Sequence, residues 1–365
     1  MQFKIKNIIF RIFLSLVTVI ILLGIIGILA EISIRLYFLY QDNNNPYIRK
    51  DLRKHASISE AYDLSLWEEP GVKYKNNAEL ELELPDGDRL EVKINSKGFR
   101  TREFAAGKPE GLFRILCVGG STTVIGRTNE ETYPALLENK LLNLLPGKNL
   151  EVLNLGISKY GTRDVVNLCA GAIRYHPDLV IKYNGANDLW WDYFIMLKDN
   201  LPAWKRLALN SYAFQWFFQD YLLPPDRVIR EDLRSGLFPS LEYLNQILKQ
   251  AGSDLVILTF FSPNLNELTS AQKYYLDFNI RHFWGQQIGT FPFIRIEPYL
   301  KALEIYNETI REFCRENRVS CVDLARQYPV DFDLYIDICH FSQKGIAEAV
   351  ELISEELIEK KMIKK

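Results

Sequence analysis

The chain opens with three cations, Lys4, Lys6 and Arg11, followed by an apolar run from Ile12 to Ala30 that carries no charge. At about 1.5 Å rise per residue, ~19 residues reach across the hydrocarbon layer of a bilayer. The run has no polar face, so it reads as a membrane-spanning helix rather than a buried core helix. It is too long for a signal-peptide core, and Ile28-Leu29-Ala30 is a poor small-x-small cleavage site, so the anchor is expected to stay attached. The cations precede the run. The N-terminus is therefore expected to stay in the cytoplasm, with everything after about Gln41 outside it.

Residues 42–112 are polar and irregular, apart from "AELELELPDGDRLEVKI". Its period-two alternation on both sides of "PDGD" predicts a β-hairpin in a membrane-proximal segment. From Phe113 the pattern changes. "FRILCV", "LEVLNL", "DLVIKY", "DLVILTF" and "RVSCVDL" are short continuous apolar runs, as in strands buried on both faces. Helical periodicity lies between them, over Tyr133 to Leu145, Thr162 to Tyr175, Ser240 to Gln250 and Leu300 to Asn317, with a last helix from about Gln343. This alternation predicts a three-layer α/β/α fold on a parallel sheet, in which ligands bind at the carboxyl ends of the strands. The expected organisation is an anchor over 1–41, a membrane-proximal segment over 42–112 and the α/β domain over 113–365. An insertion over about 189–239 carries many Trp, Tyr and Phe residues. It reads first as an extra helical layer with its own small core, and second as a lid or aromatic platform beside the site.

Composition narrows the field. A chain of 365 residues with nearly half of them apolar can bury one large domain plus extras. A net charge of −2 gives no basis for nucleic-acid binding. Cys117, Cys169, Cys314, Cys321 and Cys339 show no metal-ligand spacing and read mainly as small buried residues. Only Cys314 and Cys321 are candidates for pairing.

Candidate chemistry starts at "VGGSTTVIG", after the first strand. A phosphate-cradling loop needs a Lys before the Ser or Thr, a dinucleotide fingerprint needs G-x-G-x-x-G, and a hydrolase elbow needs Gly where Thr123 stands. What remains is Ser121, a strand-end serine at a helix entrance, which is either a turn residue or a nucleophile. A nucleophile needs a base, and the base needs an orienting acid. Of four histidines, His55 lies in the polar membrane-proximal stretch, His176 at the wrong end of the sheet and His282 in an aromatic loop. His340 sits between the last strand and the last helix, three residues after Asp337, a spacing that lets one carboxylate fix the imidazole tautomer. Asn187, in "YNGANDLWW", is an amide at the end of the third strand, and "NLGISKYGT" after the second is a turn able to present backbone N–H groups.

Four blocks in this order, "GGST", "NLGISKYG", "GAND" and "DICH", resemble those of the SGNH (GDSL-like) hydrolase family, over roughly Arg114 to Leu352. The leader "NSKGFRTREF...KPEGLFRIL" resembles the segment that precedes the catalytic domain in membrane-anchored bacterial members. The resemblance implies a flavodoxin-like fold with a five-stranded parallel sheet. It implies Ser121 as nucleophile, His340 as base and Asp337 as its orienter. Asn187 and the backbone N–H of Ser121 become oxyanion donors. One position departs from the family: the second-block glycine falls five residues after the Asn, where this chain has Lys159, flanked by Gly156 and Gly161. The Lys159 N–H is expected to donate in the glycine's place.

The function expected is a membrane-anchored serine esterase outside the cytoplasm, acting on O-acyl groups of a surface glycan or on lipid esters. No metal or organic cofactor is expected, and the sequence does not specify an oligomeric state. The alternatives are an O-acyltransferase that uses the same acyl-enzyme and a non-catalytic glycan-binding or assembly protein on the same fold.

Overall fold

The structure is a computed structural model that describes residues 2–48, 66–69, 73–83, 89–261, 263–282, 292–329 and 331–363. His55 and the tip of the expected hairpin lie outside these residues.

The N-terminal helix spans Gln2–Asn44, and its apolar stretch is exposed along its length. By length and composition it can cross a bilayer. Its last turns are different. Phe38 is only 3 % exposed. Asp42 accepts hydrogen bonds from Arg281 at 2.5 Å and Tyr274 at 2.6 Å and lies 3.1 Å from His282 Nε2. The Arg281 guanidinium also covers the Phe38 ring at 4.1 Å.

Between this helix and the main domain, a small antiparallel ribbon pairs β1 (Trp67–Glu69) with β2 (Lys73–Tyr74). The expected hairpin follows as β3 (Glu79–Glu83) and β4 (Arg89–Lys93), with Leu80 opposite Val92 and Leu82 opposite Leu90 on one face.

The α/β domain is built on one five-stranded parallel sheet. Its strands are β5 (Phe113–Gly119), β6 (Leu150–Asn154), β7 (Leu179–Tyr183), β8 (Asp254–Leu258) and β9 (Ser320–Val322), in the order β6-β5-β7-β8-β9. Every residue of β7 is buried, and so are Ile115 to Gly119 of β5, as two-sided coverage by helices requires. The chain leaves β5 toward β6 on one side and returns to β7 on the other. The order of connection therefore reverses at β5, and a crevice opens beyond its carboxyl end.

The crossovers are helices at Tyr133–Leu144, Thr162–Ala172, Asp226–Gln250 and Glu297–Asn317, with Gln343–Glu359 closing the chain. One of them differs from the sequence reading. Helicity starts at Asp226, well before the expected Ser240, and runs through Pro239. Proline disrupts a helix by removing one N–H and crowding the carbonyl four residues back. Here a buried stripe that includes Ile229, Leu233, Leu237, Leu241, Leu244 and Leu248 packs the helix against the domain on both sides of it. Each such burial stabilises by about 1.5–3 kcal/mol, together more than the local loss. The segment 188–218 folds as a π-helical turn, Asp188–Phe194, followed by short helices at Ile195–Asn200, Ala203–Ala208 and Tyr212–Phe218. Its inner rings join the core, with Trp190 stacked on Tyr299 at 4.6 Å between centroids. The five cysteines are free thiols, so the candidate pair Cys314 and Cys321 is not bridged.

Candidate active site

Three strands end at the crevice, and each leads into one of the motif blocks. Ser121 follows β5 as the first residue of a short helix, Ser121–Val124, so its backbone N–H has no partner within that helix. Asn187 follows β7. The turn after β6 is closed by Asn154, whose side chain accepts from the Gly156 N–H and donates to the Thr123 carbonyl, joining this turn to the helix that carries Ser121.

The histidine arrives from the far end of the chain. A bridge between Tyr335 and Phe341, with the Ile336 N–H donating to the His340 carbonyl, folds residues 335–341 into a tight loop. Ser342 then caps the final helix by accepting from the Gly345 N–H. In the loop, Asp337 Oδ1 accepts from the backbone N–H groups of both Cys339 and His340 at 2.8 Å, which aims its other oxygen at the ring. Asp337 Oδ2 lies 2.7 Å from His340 Nδ1, and His340 Nε2 lies 2.7 Å from Ser121 Oγ. The carboxylate is buried, while Ser121 and His340 remain half-exposed, so a substrate can reach the serine. An imidazole held at Nδ1 by a carboxylate presents a bare Nε2 lone pair, able to take the hydroxyl proton.

The same loop brings the ligand atoms of Asp337, Cys339 and His340 close enough to suit a metal. Both imidazole nitrogens are already engaged, one by the carboxylate and one by the serine, so the set fits a proton relay better than a metal site. Burial and the neighbouring Asp337 push the Cys339 thiol well up, which keeps it neutral and no rival nucleophile.

Asn187 is placed by a contact that the sequence did not reveal. Its Nδ2 donates to the Tyr160 carbonyl at 2.9 Å, as does Asn184 Nδ2. A carboxamide nitrogen carries two hydrogens, so this bond fixes the amide plane and leaves the second N–H for another acceptor. Gly120 makes the approach possible, because a Cβ there would sit 2.5 Å from Asn187 Nδ2. Lys159 has φ +71°, the left-handed conformation that glycine adopts freely, so the turn keeps glycine geometry without the glycine. Gly161 precedes the helix Thr162–Ala172, and its N–H donates to Asp164.

Asp188 is a second residue that sequence reading passed over. It is 2 % exposed and accepts from the Thr162 N–H, the Thr162 hydroxyl and the Tyr306 hydroxyl, tying the third block to the second. Arg100 is a third. Fully buried, it donates to the carbonyls of Val124, Gly126 and Glu91 and to Asn129, gripping the loop behind the serine. The adjacency in "GAND" and the arginine that follows "KGF" were their only signals. His176 is exposed at the opposite end of the sheet, and His282 faces Asp42; neither joins the relay.

No curated protein matches this chain. Among solved structures, the chain is similar to an alpha/beta hydrolase enzyme from the metagenome of Lake Arreo, at 14 % identity and a TM-score of 0.42, covering 67 % of this chain and 94 % of that one. It is also similar to an acetyl xylan esterase from Geobacillus stearothermophilus, at 17 % identity, a TM-score of 0.42 and the same coverages. A GDSL-like lipase from Bacteroides thetaiotaomicron matches at 12 % identity and a TM-score of 0.39, over 68 % of this chain and 88 % of its own. The sequence profile of the GDSL-like lipase/acylhydrolase family matches residues 117–347, a span that contains Ser121, Asn187, Asp337 and His340, and the chain belongs to that family.

Proposed function

We propose that this hydrolase is a membrane-anchored serine esterase whose domain lies outside the cytoplasm and removes O-acyl groups from a surface glycan or a lipid. The observation that carries the reading is the unbroken relay from Asp337 through His340 to Ser121, with both links at 2.7 Å. Ser121 Oγ attacks the ester carbonyl carbon as His340 Nε2 takes its proton. The carbonyl oxygen, now an anion, is met by the second N–H of Asn187 and the backbone N–H groups of Ser121 and Lys159. His340 then passes its proton to the leaving alkoxide, and the acyl group remains on Ser121. Water attacks the acyl-enzyme, His340 takes the water's proton and returns it to Ser121 Oγ, and the carboxylic acid departs. Asp337 keeps the ring in the productive tautomer and stabilises the imidazolium throughout. A location outside the cytoplasm is supported by the cations that precede the apolar run.

The test is hydrolysis of a series of short acyl esters by the detergent-solubilised full chain. Ser121→Ala and His340→Ala are each expected to remove nearly all turnover, since the relay acts as a unit. Asn187→Ala is expected to cost about 100- to 1,000-fold in kcat. A fluorophosphonate probe should label Ser121 in the wild type and leave His340→Ala unlabelled. Full turnover in Ser121→Ala would overturn the assignment.

A further inference from the structure

The insertion carries an outward-facing apolar surface that the catalytic reading leaves unused. Trp204 is 57 % exposed, Leu207 73 %, Phe217 63 %, Phe218 48 % and Tyr221 72 %. Three of the rings form a chain, Phe217 to Phe218 and Phe218 to Tyr221, with 6.3 Å between centroids at each step. A soluble monomer rarely leaves a large apolar patch in contact with water.

The N-terminal helix indicates what covers them. Glu31 is the first charge after the apolar run, and it accepts from the Ser211 hydroxyl and from the Tyr212 and Ala213 N–H groups, at the start of the helix Tyr212–Phe218. Arg35, one turn on, donates to the Asn210 carbonyl and lies 4.3 Å over the Tyr212 ring. The insertion is therefore fastened to the anchor at the level where the anchor meets its first charge. A helix of this length reaches only about 10 Å, so Phe217 and Phe218 stay within roughly a headgroup layer of that level. Lys205 is arranged as an interfacial cation, its Nζ donating to the Leu222 carbonyl and lying 5.7 Å over the Trp204 ring.

We propose that Trp204, Leu207, Phe217, Phe218 and Tyr221 form a membrane-seating surface, sunk into the boundary between headgroups and acyl chains of the bilayer that the N-terminal helix crosses. Aromatic rings and leucine flanked by basic residues suit that layer. The occupant is a lipid surface because the helix that carries Phe217 and Phe218 is fastened to Glu31 of a helix whose own apolar stretch is unburied by the protein. The domain is then held to the membrane at two places, which sets its orientation over the surface. This inference rests on the anchor reading.

The first tryptophan of the chain is Trp67, so quenching of tryptophan fluorescence by lipid cannot come from the anchor. The full chain is reconstituted into vesicles of phosphatidylcholine and phosphatidylglycerol whose acyl chains carry bromine either near the headgroup or near the bilayer centre. Shallow bromines are expected to quench more strongly than deep ones, and Trp204→Phe is expected to lose most of that quenching. A variant with Leu207→Asp, Phe217→Asp and Tyr221→Asp keeps Trp204 and is expected to lose it too, while remaining in the vesicles after alkaline carbonate washing. Equal quenching of wild type and Trp204→Phe, in protein that resists carbonate, would overturn the seating surface and leave the anchor standing. So would a Trp204 reached by aqueous acrylamide, or one shielded from both quenchers by a second copy or another protein. Release of the wild type by carbonate would overturn the anchor, and the seating surface with it.

Discussion

At the scale of the residue, Lys159 is the most informative position. It occupies the left-handed region, which costs a non-glycine residue about 1–2 kcal/mol. The proposed role uses its backbone N–H and not its side chain. Lys159→Gly is therefore expected to keep kcat within about twofold, with stability unchanged or raised by up to ~1 kcal/mol, since relief of strain is partly offset by a freer unfolded chain. Lys159→Pro removes the N–H and forces φ negative, and is expected to lower kcat by about 100-fold or more. Ester turnover and thermal melting of the two variants decide it; full turnover in Lys159→Pro would remove this amide from the oxyanion site. Ser121, Asp337, His340 and Asn187 were legible in the sequence because side-chain chemistry restricts which residue types can serve. Tyr160 was not, because it contributes a carbonyl that any residue could supply. The contact of Gly120 with Asn187 was not legible either, because it depends on how β5 and β7 lie side by side.

At the scale of the element, the strands were easy to read and the helix limits were not. Continuous apolar runs mark strands buried on both faces, and all five fell where that pattern put them. The helix Asp226–Gln250 begins before the periodic stretch from Ser240, and it runs through Pro239 because proline's disruption is local whereas the packing that overrides it is tertiary. The contribution of the segment before the sheet was also hidden. Arg100 reaches from it to the loop after Ser121–Val124 and donates to three backbone carbonyls. A buried carbonyl left without a donor costs about 1–3 kcal/mol. Arg100→Ala is expected to lower the melting temperature and to reduce kcat, with KM for a short ester little changed, because the position of Ser121 is disturbed while the substrate surface is not. Arg100→Lys is expected to recover only part of both, since one ammonium cannot copy a planar fork. An Arg100→Ala protein of unchanged kcat would show that this grip serves stability alone.

At the scale of the whole molecule, the N-terminal helix belongs to two environments. Up to Ala30 its apolar residues find almost no partner in the protein, and from Glu31 on it is joined to the domain. Phe38 is buried, and Asp42 faces Arg281, which is itself only 3 % exposed. The hydropathy pattern announced the first part, since a charge-free run needs no knowledge of the fold. The second part was silent. Nothing in "EISIRLYFLYQDNN" separates a docked helix end from a linker, and its partners Tyr274 and Arg281 lie 236 and 239 residues further along the chain from Phe38 and Asp42. The limit that matters for stability therefore lies near residue 31, and two truncations measure it. A chain starting at residue 31 keeps the cap on Tyr212–Phe218, the Phe38 contact and the Asp42–Arg281 pair. One starting at residue 45 loses all three. Exposing the Phe38 site forfeits about 1.5–3 kcal/mol, and leaving Arg281 buried without its carboxylate costs about 3–5 kcal/mol more. At roughly 2–4 °C per kcal/mol for a domain of 150–250 residues, and less for this larger one, the shorter chain is expected to melt at least ~5 °C lower. Adding Asp42→Asn to the longer chain should reproduce part of the difference, since the amide keeps an acceptor for Arg281 but not the charge. Equal melting temperatures for the two truncations would mean that the helix end rests on the domain without stabilising it.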